Sequence, residues 1–251
     1  MTFSALVLAG TRPGGDPLAG AEGAAHKALI EIEGRSLLER VVSSLKGSGA
    51  ARIGVSCDHP EVMKLAKELG AEVLPTGQGP SESAAIAFEE LGTPLVVTTA
   101  DHALLEGGWI TQLVSDTPAD ADIGVMLAHR DDIEAHMPGT RRTYLNFADG
   151  AWSGCNLFYL ATPRSRAAIE SWKAVEADRK RPWRIVRRLG LASLMSYALG
   201  RLTLAQGIET LGRRLGVEAR LVRAENGLAA VDVDKPQDLA DIRGYLARKP
   251  G

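Results

Sequence analysis

LVLAGTRPGGDPLAGAEGAAHKALIEIEG, residues 6–34, begins as a buried strand and then changes character. The apolar run at residues 5–9 has the length and composition of a core strand. Residues 10–26 follow with five glycines, two prolines and one arginine, and with neither a helical nor an alternating apolar period. Structureless loops beyond roughly 12–15 residues are uncommon inside compact domains and are usually functional or disordered. A loop at the carboxyl end of a first parallel strand lies where open α/β sheets bind ligands. Its glycines let backbone N–H groups approach phosphate oxygens, and Arg12 and Lys27 add positive charge. Neither common phosphate loop fits. Lys27 follows His26 and precedes Ala28, which is not a Walker ending, and Gly10 and Gly14 do not have dinucleotide-fingerprint spacing.

Outward from this stretch, strand and helix signals alternate. Ser36 and Glu39 spell a capping box before a helical face of Leu37, Leu38, Val41, Val42 and Leu45. RIGVS (52–56) reads as a strand. Pro60 opens a helix through Val62, Leu65 and Leu69, and Gly70 ends it. Strands at 71–75, 94–100 and 121–128 alternate with helices at 81–91 and 107–116. Such repeated βα units predict a mostly parallel, Rossmann-like sheet flanked by helices. The second half predicts a strand at 156–160 and a helix at 164–178. Two or three short helices then precede a strand at 217–223, and a strand and a helix close the chain. Between residues 179 and 223 there are eleven Arg or Lys residues against Glu209 and Glu218 alone. Without repeats or low-complexity linkers, residues 1–251 read as one domain with a basic helical insertion at about 163–216.

Composition narrows the function classes. The formal net charge is −2, so bulk electrostatics favour neither nucleic acid nor membranes. No apolar run approaches the roughly 18 residues of a membrane span, and the N-terminus lacks a signal-peptide pattern. Cys57 and Cys155 have no metal-ligand spacing and imply no disulfide framework. A cytoplasmic protein is expected.

Leu8-Ala9-Gly10, Arg12, Lys27-Ala28-Leu29 and GRSLLE (34–39) occur in the order of L-A-[GA]-G-x-x-x-R, K-x-L and a short helix start. The chain thereby resembles nucleotidyltransferases of glycosyltransferase-A-like fold, among them molybdenum cofactor guanylyltransferase, sugar-phosphate nucleotidyltransferases and cytidylyltransferases. It departs from the pattern at Thr11, which replaces a second glycine, and in a longer Arg-to-Lys segment. The resemblance implies an NTP, CTP or GTP by preference, held by Leu8, Ala9, Gly10, Thr11, Arg12 and Lys27. Gly79, Pro80 and Ser81, in GQGPSESAAIAF (77–88), would lie nearest the base. TTADHALLEG (98–107) implies a magnesium ligand at Asp101, and VDVDKPQDL (231–239) a second at Asp234. SGCNLFYL (153–160) implies that Asn156 faces the acceptor. The implied enzyme moves an NMP onto a phosphorylated small molecule and releases pyrophosphate, with Arg12, Lys27 and Asp101 catalytic. A divalent ion neutralises charge gathering at the α-phosphorus, the two cations stabilise the leaving pyrophosphate, and an ionised acceptor phosphate needs no general base.

Plainer readings compete. Asp234 fits an N-cap with Gln237 completing a capping box, and strand alternation sends Asp232 to the opposite face. The five histidines show no metal spacing, and only His102 sits beside a candidate ligand. In the basic segment, Arg184, Arg187 and Arg188 suit a cationic lip for the acceptor. The same segment suits a surface for anionic lipid or a solvated end of a packed helix. A nucleotide-sugar glycosyltransferase and a non-catalytic nucleotide sensor are the rival functions.

Overall fold

In the computed structural model, which describes residues 2–11, 14–177 and 190–248, the apolar run near the N-terminus is strand β1 (Ser4–Leu8). In chain order the others are β2 (Glu31–Ile32), β3 (Arg35–Ser36), β4 (Arg52–Ser56), β5 (Glu72–Leu74) and β6 (Leu95–Thr99). β7 (Ile123–His129), β8 (Leu145–Phe147), β9 (Gly150–Leu160) and β10 (Ala219–Arg223) follow. The main sheet runs β10-β7-β9-β6-β1-β4-β5, with β8 paired to β9, while β2 and β3 form a separate hairpin. β9 is antiparallel to β6, β7 and β8; the other pairings of the main sheet are parallel. The chain is therefore the mixed α/β fold, with a mostly parallel sheet flanked by helices, that the sequence predicts.

Both faces of β1 are buried, which explains its unbroken apolar character. Ala5 and Val7 join the core under helix Leu37–Gly47, whose Leu37, Leu38, Val41, Val42 and Leu45 are all buried. Leu6 points the other way, onto Ala84, Ala87, Phe88 and Leu91 of helix Pro80–Leu91. β4 lies on one side of β1 and β6 on the other. After β5 the chain crosses back over β1, and open α/β sheets bind ligands at such a reversal.

Several local expectations are corrected. The glycine-rich stretch is not structureless, because Asp16 caps a short helix, Pro17–Ala21, that buries Leu18 and Ala19. Asp-Pro at the N-cap and first helical position overcame the weak apolar period. Only half of the Ser36–Glu39 box forms. Ser36 accepts from the Glu39 N–H at 3.1 Å, while the Glu39 carboxylate turns to Arg35 instead. Residues 231–234 are not a strand but an irregular stretch between the 3-10 turn Gly227–Ala230 and helix Pro236–Leu246. In the basic half, helices Arg166–Ala177, Leu191–Ala198 and Leu204–Arg214 are present. Residues 178–189, which include Arg184, Arg187 and Arg188, lie outside the described residues, as does Arg12. No helix among the described residues is long and apolar enough to cross a membrane.

Asp122 ties together one end of the antiparallel half. Its carboxylate accepts from Thr162 Oγ1 at 2.5 Å and from the Glu218 N–H at 2.9 Å. Its own N–H donates to Glu218 and its carbonyl accepts from Ala161, both at 2.8 Å. Burial alone would raise its pKa, but these bonds and Arg164 hold it below the ordinary 3.8. Its stabilising contribution is thus present above that value and lost as pH falls through the lower folded one. Asp122→Ala leaves a hydroxyl and an amide unpaired and should cost about 1–3 kcal/mol for each. Urea unfolding at neutral pH measures this loss, and the gap between variant and parent should narrow in strong acid.

Candidate active site

Lys27 heads the 3-10 turn Lys27–Leu29, which His26 caps by accepting from the Ala28 N–H at 3.0 Å. This turn directs the lysine inward, leaving its side chain only 10% exposed. Its ammonium donates to Asp101 Oδ2 at 2.6 Å and to Asp234 Oδ1 at 2.9 Å. Burial disfavours the charge, yet the two carboxylates outweigh burial and raise the pKa above its ordinary value. Lys27 is therefore cationic at any physiological pH.

Each carboxylate is placed by backbone. Asp101 follows β6, and Thr99 Oγ1 donates to its other oxygen at 2.5 Å. The Asp101 carbonyl accepts from the Val233 N–H at 3.0 Å, which brings residues 231–234 to the end of β6. Asp234 is not the N-cap that the plainer reading of its sequence offers. Lys235 occupies that position, and Asp238, in the helix's first turn, accepts from the N–H groups of Lys235 (2.8 Å) and Asp234 (3.0 Å). Relieved of capping, the Asp234 carboxylate meets Lys27.

Asp232 does not face away. Irregular backbone at 231–234 removes the alternation that predicted so, and Asp232 joins the cluster. Burial first, then the charges of Asp101 and Asp234, push its carboxyl up to about 6. Arg142 donates to Asp232 Oδ1 at 2.6 Å and also pairs with Asp238, while the Asn156 amide donates to Asp232 Oδ2 at 2.7 Å. Asn156 reaches this position through a bulge. β7 and β9 pair Met126 with Leu157 but Leu127 with Gly154, so Cys155 and Asn156 are extra residues on β9. Bulges re-aim side chains, and Asn tolerates the left-handed backbone found here, φ +50°.

The nucleotide-side candidates line the same edge of the sheet. Leu8 ends β1, and its carbonyl accepts from the Ala100 N–H at 3.0 Å; the Ala9 N–H donates to Ser56 at 2.9 Å. Gly10 crosses so close to the β5 loop that a Cβ would stand 3.3 Å from Thr76 Cγ2. Thr11 donates through its N–H (3.0 Å) and its hydroxyl (2.6 Å) to Asp58, just beyond β4. Gly79 is the N-cap of helix Pro80–Leu91, which begins with Pro80 and buried Ser81. His102 is withdrawn from this edge. It is fully buried, its ring lies 5.9 Å from that of Trp109, and burial pushes its pKa down to about 4.

Asp101 and Asp234 present hard oxygen donors that already converge on one cation, the Lys27 ammonium. Two carboxylates with room for waters and phosphates are what Mg2+ accepts. Among the described residues, no group of three or more His, Cys, Asp or Glu side chains forms a complete metal cage. Sequence reasoning missed Asp58, Thr99, Arg142 and Asp238. Of these, only Asp238 carries a local signal, an acid three residues beyond the helix cap.

The Asn156 backbone gives a direct test. Asn156→Val places a β-branched residue in left-handed backbone and should cost about 1–2 kcal/mol on that account. Asn156→Gly keeps the backbone while deleting the same amide. The Val variant should therefore unfold at a lower urea concentration than the Gly variant; equal midpoints would contradict the left-handed conformation.

Comparison with known proteins agrees with the fold. A 3-deoxy-manno-octulosonate cytidylyltransferase from Alkalilimnicola ehrlichii is 28% identical over 248 residues, covering 89% of this chain and 91% of that one. Among solved structures, a hypothetical transferase from Thermus thermophilus superposes with a TM-score of 0.82 at 31% identity, covering 95% of this chain and 100% of that one. A CMP:2-keto-3-deoxy-manno-octonic acid synthetase complexed with CTP shares the fold, with a TM-score of 0.58 at 13% identity and 98% of each chain covered. The MobA-like NTP transferase domain profile matches residues 5–194. The chain belongs to the family of MobA-like NTP transferase domains.

Proposed function

We propose that this chain transfers an NMP, with CTP the favoured donor, to a phosphorylated small-molecule acceptor and releases pyrophosphate. The observation that carries this reading is the Lys27 ammonium, buried between Asp101 and Asp234 beside the glycine-containing loop after β1. The preference for CTP rests on the cytidylyltransferase name of the relative from A. ehrlichii and on the CTP-bound structural neighbour.

In this reading the acceptor oxygen attacks the α-phosphorus, a P–O bond forms, and the bond to the β-phosphate oxygen breaks. Lys27 offsets negative charge on the phosphates, and its raised pKa keeps it from acting as a proton acceptor. The Gly10–Thr11 backbone and the start of helix Pro80–Leu91 hold the nucleotide from the β1 and β5 sides. Asn156 borders the acceptor side. Arg12 keeps the phosphate-binding role that the family resemblance implies, and Arg184, Arg187 and Arg188 keep the cationic-lip role read from the charge of their segment. A divalent ion, Mg2+ by the hardness of its donors, would be held by Asp101 and Asp234 and would supply Lewis-acid stabilisation of phosphoryl oxygens.

Pyrophosphate release is the deciding measurement, made with CTP, GTP, UTP and ATP against a panel of phosphorylated metabolites. Turnover with one NTP is expected, whereas release of a nucleoside diphosphate from a nucleotide-sugar would favour a glycosyltransferase. Asp101→Asn is nearly isosteric and should lower kcat by about 10³-fold if several kcal/mol of charge stabilisation are lost. Lys27→Ala should both weaken NTP binding and slow turnover. Full activity in either variant would remove that residue from the mechanism.

A further inference from the structure

Arg142 lies in irregular chain between helix Arg130–His136 and β8, and no motif marks it. Its side chain is nevertheless 6% exposed, more enclosed than that of Lys27. One arm of the guanidinium donates to Asp232 Oδ1 at 2.6 Å and to the Asp232 carbonyl at 3.2 Å. The other pairs with Asp238 Oδ1. Asp238 Oδ2 in turn accepts from the Asp234 and Lys235 N–H groups at 3.0 and 2.8 Å. Residues 232–238 are thus folded around one planar cation, and Asp234 is suspended between Arg142's partners and Lys27.

From this geometry we infer that Arg142 is a positioning residue, which sets the Asp234 carboxylate against Lys27 and the acceptor through Asp232 and Asp238. Three observations support it. Residues 231–234 have no ladder or helix of their own to fix Asp234. A guanidinium is a rigid fork that can hold two carboxylates in one plane, which a lysine ammonium cannot. Asp232 is also gripped on its second oxygen by Asn156, so one residue joins the acceptor-side bulge to the carboxylate segment. A buried ion pair is a poor device for stability, since apolar replacements are often as stable or more so. Geometry is the better account of this cluster.

The inference rests on the proposed nucleotidyl transfer and is tested separately from it. Arg142→Lys and Arg142→Met are compared with Arg142→Met/Asp238→Asn. The double variant keeps a carbonyl oxygen for the Asp234 and Lys235 N–H groups and removes one of the two carboxylate charges that Arg142→Met strands, leaving Asp232 with its bond from Asn156. Outer partners of metal-binding groups are typically worth about 10-fold to 100-fold in metal affinity or activity. Calorimetric titration with Mn2+ in the presence of CTP should show that loss in Arg142→Met, with a smaller one in Arg142→Lys. CTP binding without metal should stay within about twofold, since among the described residues no nucleotide-side residue hydrogen-bonds Arg142. The double variant should regain thermal stability but not Mn2+ affinity, and kcat should fall more than the KM for CTP rises. Restored affinity alongside restored stability, or unchanged affinity in Arg142→Met, would reduce Arg142 to a structural clamp. A parent protein that binds Mn2+ with CTP yet releases no pyrophosphate would sink the proposed reaction while leaving this inference standing. A parent that binds no Mn2+ would overturn the inference.

Discussion

One ammonium group holds the candidate site together. Lys27 lies 74 residues from Asp101 and 207 from Asp234, and its Nζ meets both carboxylates. Without a central cation, those carboxylates would repel each other in a place partly screened from water, where repulsion is strong. Without the carboxylates, burying Lys27 would depress its pKa, whereas here its pKa is raised. Each charge is tolerated because of the others, so three distant chain segments must arrive together for any of them to be stable there.

The sheet makes that arrival possible. β1 leads to the glycine-containing loop, and β6, its parallel neighbour, leads to Asp101. Helix Leu37–Gly47 after β1 and helix Gly107–Asp116 after β6 share one face, with Leu38, Val42, Ile110 and Leu113 in a common core, while helix Pro80–Leu91, which crosses back over β1, covers the other face. The third segment is drawn in by backbone, through the Val233 N–H on the Asp101 carbonyl. Burial of β1 on both faces makes this edge rigid, so polar groups at its rim keep their spacing.

The sequence makes some of this arrangement legible and hides the rest for definable reasons. Lys27, Asp101 and Asp234 are legible through the order of the family motifs rather than through any one local signal, and the fold brings the three side chains together. At Asp234 only the competing cap reading fails. Capping rules favour an Asp before Lys-Pro, but Asp238 does that work from inside the helix. Asp232 was sent to the wrong face because alternation holds only within a strand, and residues 231–234 are irregular. Arg142 was invisible, since its partners lie 90 and 96 residues away and it sits in no periodic element. The bulge that turns Asn156 towards Asp232 is likewise a property of strand pairing, which a single strand's pattern does not record.

Charge balance explains why the proposed chemistry leans on a divalent ion. The described centre sets two cations, Lys27 and Arg142, against the carboxylates of Asp101, Asp232, Asp234 and Asp238. Asp58 adds a further carboxylate at the Thr11 end of the nucleotide loop, kept ionised because its bonds from Thr11 outweigh the cost of burial. A triphosphate approaching such a centre meets net negative charge from the protein. Arg142 cannot relieve this, because both arms of its guanidinium are already engaged within the cluster. Lys27 offers one positive charge shared between two acceptors. An ion carrying two charges, arriving with the nucleotide and taking Asp101 and Asp234 as ligands, would reverse the balance at the point where phosphate oxygens gather. Lys27 would then be free to turn from the carboxylates towards the phosphates. Lys27 and the proposed ion thus draw on the same two carboxylates, which would couple binding of the ion to the placement of the ammonium.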